Sequence, residues 1–206
     1  MNTLTMTELI PEQISGKKVD LSHTAELATQ EEAAACFARA RMRMLDPGTW
    51  HELSGALSAE FILVPQTGTP PHQWAQTHDH IKIDIPGPGP SSGKGYDWVL
   101  IELIKDETDA IAPSERVGMR LSPCSDPTGK DTDTAHFFTG QASSTFVITR
   151  NGNKVVAQYH GRNEMPNIKT TRTVDNIRNA IVASGALASL SEMQWMSLIK
   201  GFLKNE

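Results

Sequence analysis

The segment 143–167, SSTFVITRNGNKVVAQYHGRNEMPN, is the feature that most constrains the fold of this chain. Two runs in which apolar and polar residues alternate flank Asn151-Gly152. Asparagine and glycine tolerate the positive φ angles that both central residues of a type I′ turn require, so the pattern predicts a β-hairpin. A turn centred on these two residues pairs Arg150 with Asn153.

Side chains alternate along a strand, so this register gives the hairpin two different faces. One face is apolar and should pack on a core: Phe146, Ile148, Val155, Ala157 and Tyr159. The other face is mixed: Thr145, Val147, Thr149, Lys154, Val156, Gln158 and His160. A solvent-facing surface would be more polar and a second core more apolar, so we expect the mixed face to line a cleft or to be covered by a helix.

The second strand leads into the densest run of hydrogen-bonding groups in the chain. We predict a ligand-binding loop formed by Gln158, His160, Arg162, Asn163, Glu164 and Asn167. Polar side chains where a strand ends can converge on a ligand, and an arginine can bind a carboxylate or phosphate through two parallel hydrogen bonds. The alternative is internal use, with Arg162 paired to Glu164 and an asparagine capping the turn.

Helices are predicted on both sides of a series of strands. Thr and Glu at capping-box spacing begin one helix at Thr29 and a short one at Thr49, and the second C-terminal helix carries an apolar stripe. Further strands are predicted at 61–64, 78–85, 97–105 and 116–121, with another beginning near 135–138. The C-terminal helices begin at Thr173 and Ser189, and the stripe consists of Trp195, Leu198, Ile199 and Phe202.

This order of elements predicts an α+β fold with six or seven antiparallel strands. A curved antiparallel sheet that grips a C-terminal helix, as in helical-grip ligand-binding folds, fits the order. A small β-barrel with helices added at both ends fits it equally. We expect an N-terminal arm over residues 1–28 and a single α+β domain over residues 29–206.

Composition restricts the class of protein. The 206-residue chain carries a net charge of −5, which argues against binding to nucleic acid or to an anionic membrane. It contains neither an apolar run of membrane-spanning length nor a basic, apolar leader, so a soluble cytoplasmic protein is the default expectation. Cys36 and Cys124 lack the spacing of a zinc site.

Three functional hypotheses remain, and no motif specifies a reaction, a catalytic residue or a cofactor. The first is a small-molecule-binding domain whose pocket lies between the mixed face and a helix. The second is a metal-assisted enzyme, because His78 and His80 lie ~7 Å apart on one side of a predicted strand, with His136 or His160 as a third imidazole. The third is a homodimer formed through the C-terminal helix or a sheet edge.

Overall fold

A computed structural model describes residues 6–55, 59–85, 91–109, 112–130, 132–167 and 192–205. The strands are β1 (Lys17–Glu26), β2 (Glu60–Val64), β3 (His80–Asp84), β4 (Asp97–Glu107), β5 (Ser114–Pro123), β6 (Ser143–Asn151) and β7 (Lys154–Glu164). The α-helices in these ranges are α1 (Gln30–Leu45), α2 (Trp50–Ser54) and α3 (residues 192–203). Short 3-10 helices lie at Met6–Leu9, Pro47–Thr49 and Ser91–Gly93.

The strands form one antiparallel sheet in the order β1-β7-β6-β5-β4-β3-β2. The predicted α+β architecture is therefore confirmed. The sheet is open and curved, with β1 and β2 at its edges, so the gripped-helix alternative is correct and the closed barrel is not.

Helices α1 and α3 pack on the same side of the sheet, which we call the inner face. The buried residues of the two helices share one hydrophobic cluster with the inner side chains of the strands. The helical members are Ala33, Cys36, Phe37, Ala40, Met44 and Leu45 from α1 and Leu198, Ile199, Phe202 and Leu203 from α3. The predicted apolar stripe of the C-terminal helix packs against this core. The stripe therefore offers little apolar surface for a dimer contact.

The hairpin has its predicted faces but not its predicted register. Asn151 pairs with Lys154, and Gly152 and Asn153 form the turn. Gly152 has a φ of +57°, whereas Asn153 has no positive φ, and the backbone and side chain of Asn153 both bond Leu27. Glycine therefore takes the first central position of the turn, as in type II′ turns. The second central residue, Asn153, is held by its hydrogen bonds to Leu27.

This change moves the pairing by two residues, which preserves the side of the sheet that each residue occupies. The five residues of the predicted apolar face are fully buried on the inner face. Strict alternation along the predicted strand 97–105 would put Leu103 on the same face as Val99 and Ile101, with Ile104 on the other, but the register shifts between Ile101 and Leu103 and both residues change sides. This irregularity places Leu103 on the opposite, outer face, where it packs with Leu9 and Val147.

The mixed face of the hairpin lies on the outer face of the sheet. The 3-10 segment at Met6–Leu9 covers part of it, and Leu9 is fully buried against Val147. Residues 17–26, expected only as part of an extended arm, form the edge strand β1 on β7. The N-terminal region therefore covers one side of the hairpin and extends the sheet beside it.

The helix predictions have mixed outcomes. The Thr29 side chain caps α1 by accepting from Glu32 N at 3.1 Å, as predicted. The capping role of Thr49 is wrong, because this residue ends a 3-10 turn and its hydroxyl bonds Asp46 O. Thr173 and Ser189, which were predicted to begin the C-terminal helices, lie outside the described residues. Within those residues, no helix has the length and apolar character needed to cross a membrane.

Candidate functional site: a core cavity under the C-terminal helix

A small cavity of about 30 Å³ lies between the inner face of the sheet and α3. Aromatic rings form one wall, and aliphatic side chains of β3, β4 and β5 form another. The aromatic wall consists of Trp50, Phe61 and Trp195, and the aliphatic wall includes Ile81, Ile83, Val99 and Leu121. A third wall is formed by His136, Ser143 and Ser144.

Trp195 connects this cavity to the aromatic core. Its ring stacks on Tyr159 with a centroid distance of 5.4 Å and meets Phe146 and Phe61 at 5.5 and 6.0 Å. The side chain is only partly buried, unlike its three ring partners. Trp195 is therefore one of the partly exposed residues of the cavity wall, together with Pro123, Phe137 and Ser144, and it is the one that α3 supplies.

His136 supplies a neutral imidazole to the polar wall. Its Nδ1 accepts a hydrogen bond from Phe138 N at 3.0 Å, so the ring hydrogen belongs on Nε2. Burial lowers the pKa of His136 to about 3, which keeps the ring uncharged at neutral pH. Among the described residues, the buried Ser143 Oγ has no hydrogen-bond partner, but Ser143 pairs with Arg162 across the hairpin and therefore lies on the outer side of β6, whereas Ser144 lies on the inner side.

The segment that carries His136 is fixed from two sides. Asp97 Oδ1 accepts from Phe137 N at 2.8 Å, and Asn167 Nδ2 donates to Thr134 O and His136 O at 3.1 Å each. Burial raises the pKa of Asp97 to about 6. Asn167 was predicted to contact a ligand. In the structure it holds the polar wall of the cavity in place.

A chain of three hydroxyl and carboxyl groups leads away from the cavity. Ser144 Oγ lies 3.0 Å from Tyr159 OH, which donates to Glu164 Oε1 at 3.2 Å. Burial raises the pKa of Glu164 to about 7, against the opposing effects of the Tyr159 hydrogen bond and the Lys17 charge. Glu164, a predicted site residue, thus reaches the cavity through two other side chains.

Two predicted ligand-binding residues lie on the outer face instead. His160 Nδ1 and Arg162 Nη2 each lie 2.6 Å from Asp20 Oδ1 on the edge strand β1. Arg162 also donates to the backbone oxygens of Val19 and Gly161. Burial raises the pKa of Asp20, but the bonds from His160 and Arg162 outweigh it and bring the value to about 2.

Asn163 serves the N-terminal segment. Its Oδ1 accepts from Ile14 N at 2.7 Å and Ser15 N at 3.1 Å, and its Nδ2 donates to Glu12 O. The positive φ of +55° at Asn163 is one that asparagine tolerates better than most residues. Residues 159–164 belong to strand β7 and do not form the predicted loop. The predicted alternative, an internal pair between Arg162 and Glu164, is also not observed, because Arg162 pairs with Asp20.

Gln158 is the predicted site residue that lines an open depression. A shallow cleft of about 370 Å³ lies on the outer face between Ile10 and the strands, and Gln158, Thr149 and Arg116 line it. The sequence-based expectation that the mixed face lines a cleft or is covered by a helix thus describes both parts of this surface. Ligand binding by the six predicted residues stays a prediction.

The other two hypotheses have less support. His78 lies in a turn with a φ of +77° and precedes β3, so it does not share a strand face with His80. In the described ranges, no group of three or more His, Cys, Asp or Glu residues is placed to hold a metal ion. A homodimer remains a prediction, for which the sheet edges at β1 and β2 are the candidate surfaces.

Sequence reasoning missed the residues of the core cavity. Tyr159 offered a signal, because a buried tyrosine on an apolar strand face needs a partner for its hydroxyl group. That partner is Ser144, which the predicted register places directly opposite Tyr159 and the observed register places diagonally, because Ser144 pairs with Gly161 and Tyr159 with Phe146. His136 and Trp195 carry no comparable sequence signal, since 59 positions of chain separate residues that only the fold brings to one cavity.

The fold and the cavity define an antiparallel sheet that grips a helix, which is the helix-grip class of α+β domains. No protein-family model and no curated protein matches the sequence. A solved hypothetical protein from Helicobacter pylori is 8% identical, and the match covers 97% of this chain and 96% of that one with a TM-score of 0.50. At this identity the similarity shows the fold alone.

Two other solved structures match with lower scores. A START superfamily protein from Mycobacterium smegmatis is 10% identical over 88% of this chain and 97% of that chain, with a TM-score of 0.38. A truncated norcoclaurine synthase from Thalictrum flavum is 11% identical over 95% of this chain and 100% of that chain, with a TM-score of 0.37. Neither score supports a conclusion about function.

Proposed function

We propose that this protein binds a small, largely apolar molecule in the core cavity between the inner face of the sheet and α3. The composition of the cavity wall carries the proposal. Aromatic and aliphatic side chains line a space whose polar wall includes His136 and Ser144. Ligand pockets are lined mostly by apolar and aromatic side chains with a few polar groups that orient the ligand, and the lining of this cavity has that composition.

The size of the cavity defines what binding requires. A protein cavity of ~150 Å³ accommodates benzene, whereas this one measures about 30 Å³. A ligand of benzene size therefore requires the cavity to enlarge, and in this proposal the partly exposed Trp195 moves outward. Such a movement would exchange the ring contacts of Trp195 for contacts with the ligand, so the apolar surface of Tyr159 and Phe146 would remain covered.

The test uses toluene, phenol and anisole as probes and methyl NMR of the full chain as the readout. Saturable shifts are expected for Ile81 and Val99, which line the cavity, and not for Ile14, which is 82% exposed. Trp195→Ala should strengthen binding of all three probes because it enlarges the cavity. Trp74→Ala, which removes a tryptophan that is 45% exposed, should leave binding unchanged.

The absence of saturable shifts at Ile81 and Val99 in both the unmodified protein and Trp195→Ala would contradict the proposal. Circular dichroism must first show that Trp195→Ala is folded, since it removes three ring contacts. Shifts at Ile14 alone would indicate weak surface association and would also count against the cavity.

A further inference from the structure

Resting on the proposed function, we propose that Glu164 sets the hydrogen-bonding direction of Ser144 and thereby selects between two chemical classes of ligand. With an ionised Glu164, Ser144 presents a lone pair to the cavity and binds a ligand O–H or N–H donor. With a neutral Glu164, Ser144 presents its hydrogen and binds an ether or carbonyl oxygen.

The number of hydrogens shared by Ser144, Tyr159 and Glu164 determines the direction of each hydrogen bond between them. An ionised Glu164 can only accept hydrogen bonds, so the Tyr159 hydroxyl group donates its one hydrogen to Glu164 Oε1. The 3.0 Å contact between Ser144 Oγ and Tyr159 OH can then be made only by the serine hydrogen. The remaining capacity of Ser144 is an acceptor.

Protonation of Glu164 reverses each step. The carboxyl group can donate to Tyr159 OH, Tyr159 then donates to Ser144 Oγ, and the hydrogen of Ser144 becomes free for the cavity. Only hydrogens change position, because the two oxygen–oxygen contacts serve either direction. The proton that Glu164 gains or loses is exchanged with solvent.

The backbone of the hairpin brings the oxygens of Ser144, Tyr159 and Glu164 together. Ser144 pairs with Gly161, which lies next to the side chains of Tyr159 and Glu164. A Cβ atom at this position would clash with Glu164 Oε1 and lie 3.2 Å from Tyr159 OH. The position therefore requires glycine for the close approach of the carboxyl group rather than for an unusual backbone angle.

The charged groups around Glu164 influence its pKa and therefore the pH at which the hydrogen bonds reverse direction. Lys17 on β1 and Arg162 on β7 favour the carboxylate, whereas Glu192 on α3 disfavours it. Lys17 is itself paired with Glu192, and Arg162 with Asp20, so both cations are partly neutralised. Burial is the largest influence and brings the pKa of Glu164 to about 7, which places the reversal near neutral pH.

The first arm of the test needs no ligand. The chain contains two tyrosines, Tyr96 and Tyr159, so ¹³Cζ-tyrosine labelling gives two signals. The Tyr159 signal should titrate near pH 7, and Glu164→Gln should abolish that step. Tyr96, whose ring lies under the Lys82 ammonium group, is the matched control and should not follow it. A Tyr159 signal that is flat from pH 5.5 to 8.5 overturns the proposal.

The second arm compares phenol, which can donate or accept, with anisole, which can only accept. The ratio of anisole affinity to phenol affinity should fall about fivefold from pH 5.5 to 8.5, the worth of one hydrogen bond. Both Glu164→Gln and Tyr159→Phe should make the ratio independent of pH while retaining binding. A constant ratio in the unmodified protein, or an unchanged pH dependence in Glu164→Gln, overturns ligand selection.

The two arms separate this inference from the proposed function. If Tyr159 titrates but neither probe nor toluene binds, the reversal stands and both the cavity function and ligand selection are overturned. If all probes bind and the ratio is constant, the cavity function stands and Glu164 does not select the ligand.

Discussion

Arg150 and Glu115 form an ion pair inside the fold, at a distance of 2.5 Å and with 3% of each side chain exposed. Arg150 also donates to Ala112 O at 2.8 Å. His136 and Glu164 are buried without an opposite charge of this kind, and burial shifts the pKa of each toward its neutral form. The chain thus uses both solutions that a low-dielectric interior permits, pairing a charge or neutralising it.

The buried pair gives a prediction about stability. Arg150→Met leaves Glu115 without its cation, and the free energy of unfolding should fall by about 3–5 kcal/mol in urea titrations. Lys154→Met is the matched control, because Lys154 forms a mostly exposed pair with Glu26 at 3.7 Å. That change should cost less than about 0.5 kcal/mol.

The double variant Glu115→Gln/Arg150→Met separates the lost charge from lost packing. It should recover a large part of the stability, since no unpaired charge remains buried. A loss of under about 1 kcal/mol in Arg150→Met would show that Glu115 finds another partner or becomes neutral at little cost.

At the scale of elements, the docking of α3 decides the shape of the cavity. Gly201 on α3 lies against α2 so closely that a Cβ atom would be 2.5 Å from Leu53 O. Arg43 of α1 donates to Gly201 O and Phe202 O at 3.2 Å each, which satisfies carbonyl groups near the end of α3. Three helices are therefore tied together at one point, while Trp195 lies more than a turn of helix away.

Substitution of Gly201 tests this close approach. Gly201→Ala should lower the free energy of unfolding by about 1–3 kcal/mol, because the contact with Leu53 is with backbone and forces α3 outward. Amide exchange in α3 should become faster. Lys200→Ala, at the exposed neighbouring position, should change stability by less than about 0.5 kcal/mol. Equal effects of the two substitutions would contradict the packing argument.

At the scale of the whole molecule, pH acts through groups with opposite signs. Glu164 has its pKa raised from 4.5 to about 7, so between these values the unfolded state ionises first and stability falls as pH rises. His136 has its pKa lowered from 6.5 to about 3, so between these values the unfolded state binds the proton first and stability falls as pH falls. Total stability therefore does not report on either group alone.

A comparison of variants isolates Glu164. Relative to the unmodified protein, Glu164→Gln should gain about 3 kcal/mol of unfolding free energy between pH 4.5 and pH 8, because the raised pKa of Glu164 destabilises only the unmodified protein over this range. Urea titrations at half-unit pH intervals measure the difference. A difference that is constant over this range would show that Glu164 has an ordinary pKa in the folded protein.

The elements that could be predicted are those whose patterns are local. The capping box at Thr29, the strand at 116–121 and the apolar face of the hairpin depend on near neighbours in sequence and were predicted correctly. Strand β1 was missed because KKVDLSHTAE has few apolar residues, as suits an edge strand with burial on one side. The irregularity near Glu102 also has no local signal, yet it sends Leu103 to the outer face.

The sequence by itself determined the α+β class and the apolar faces of the hairpin, α1 and α3, because burial of apolar side chains follows periodicities of 2 and 3.6 residues. Only the tertiary structure decided how the polar run of β7 is used. Strand β1 brings Asp20 to His160 and Arg162, and β6 brings Ser144 to Tyr159 and hence to Glu164. The physical reason is that a hydrogen bond depends on which strand lies alongside, and strand pairing over long separations is fixed by the whole fold.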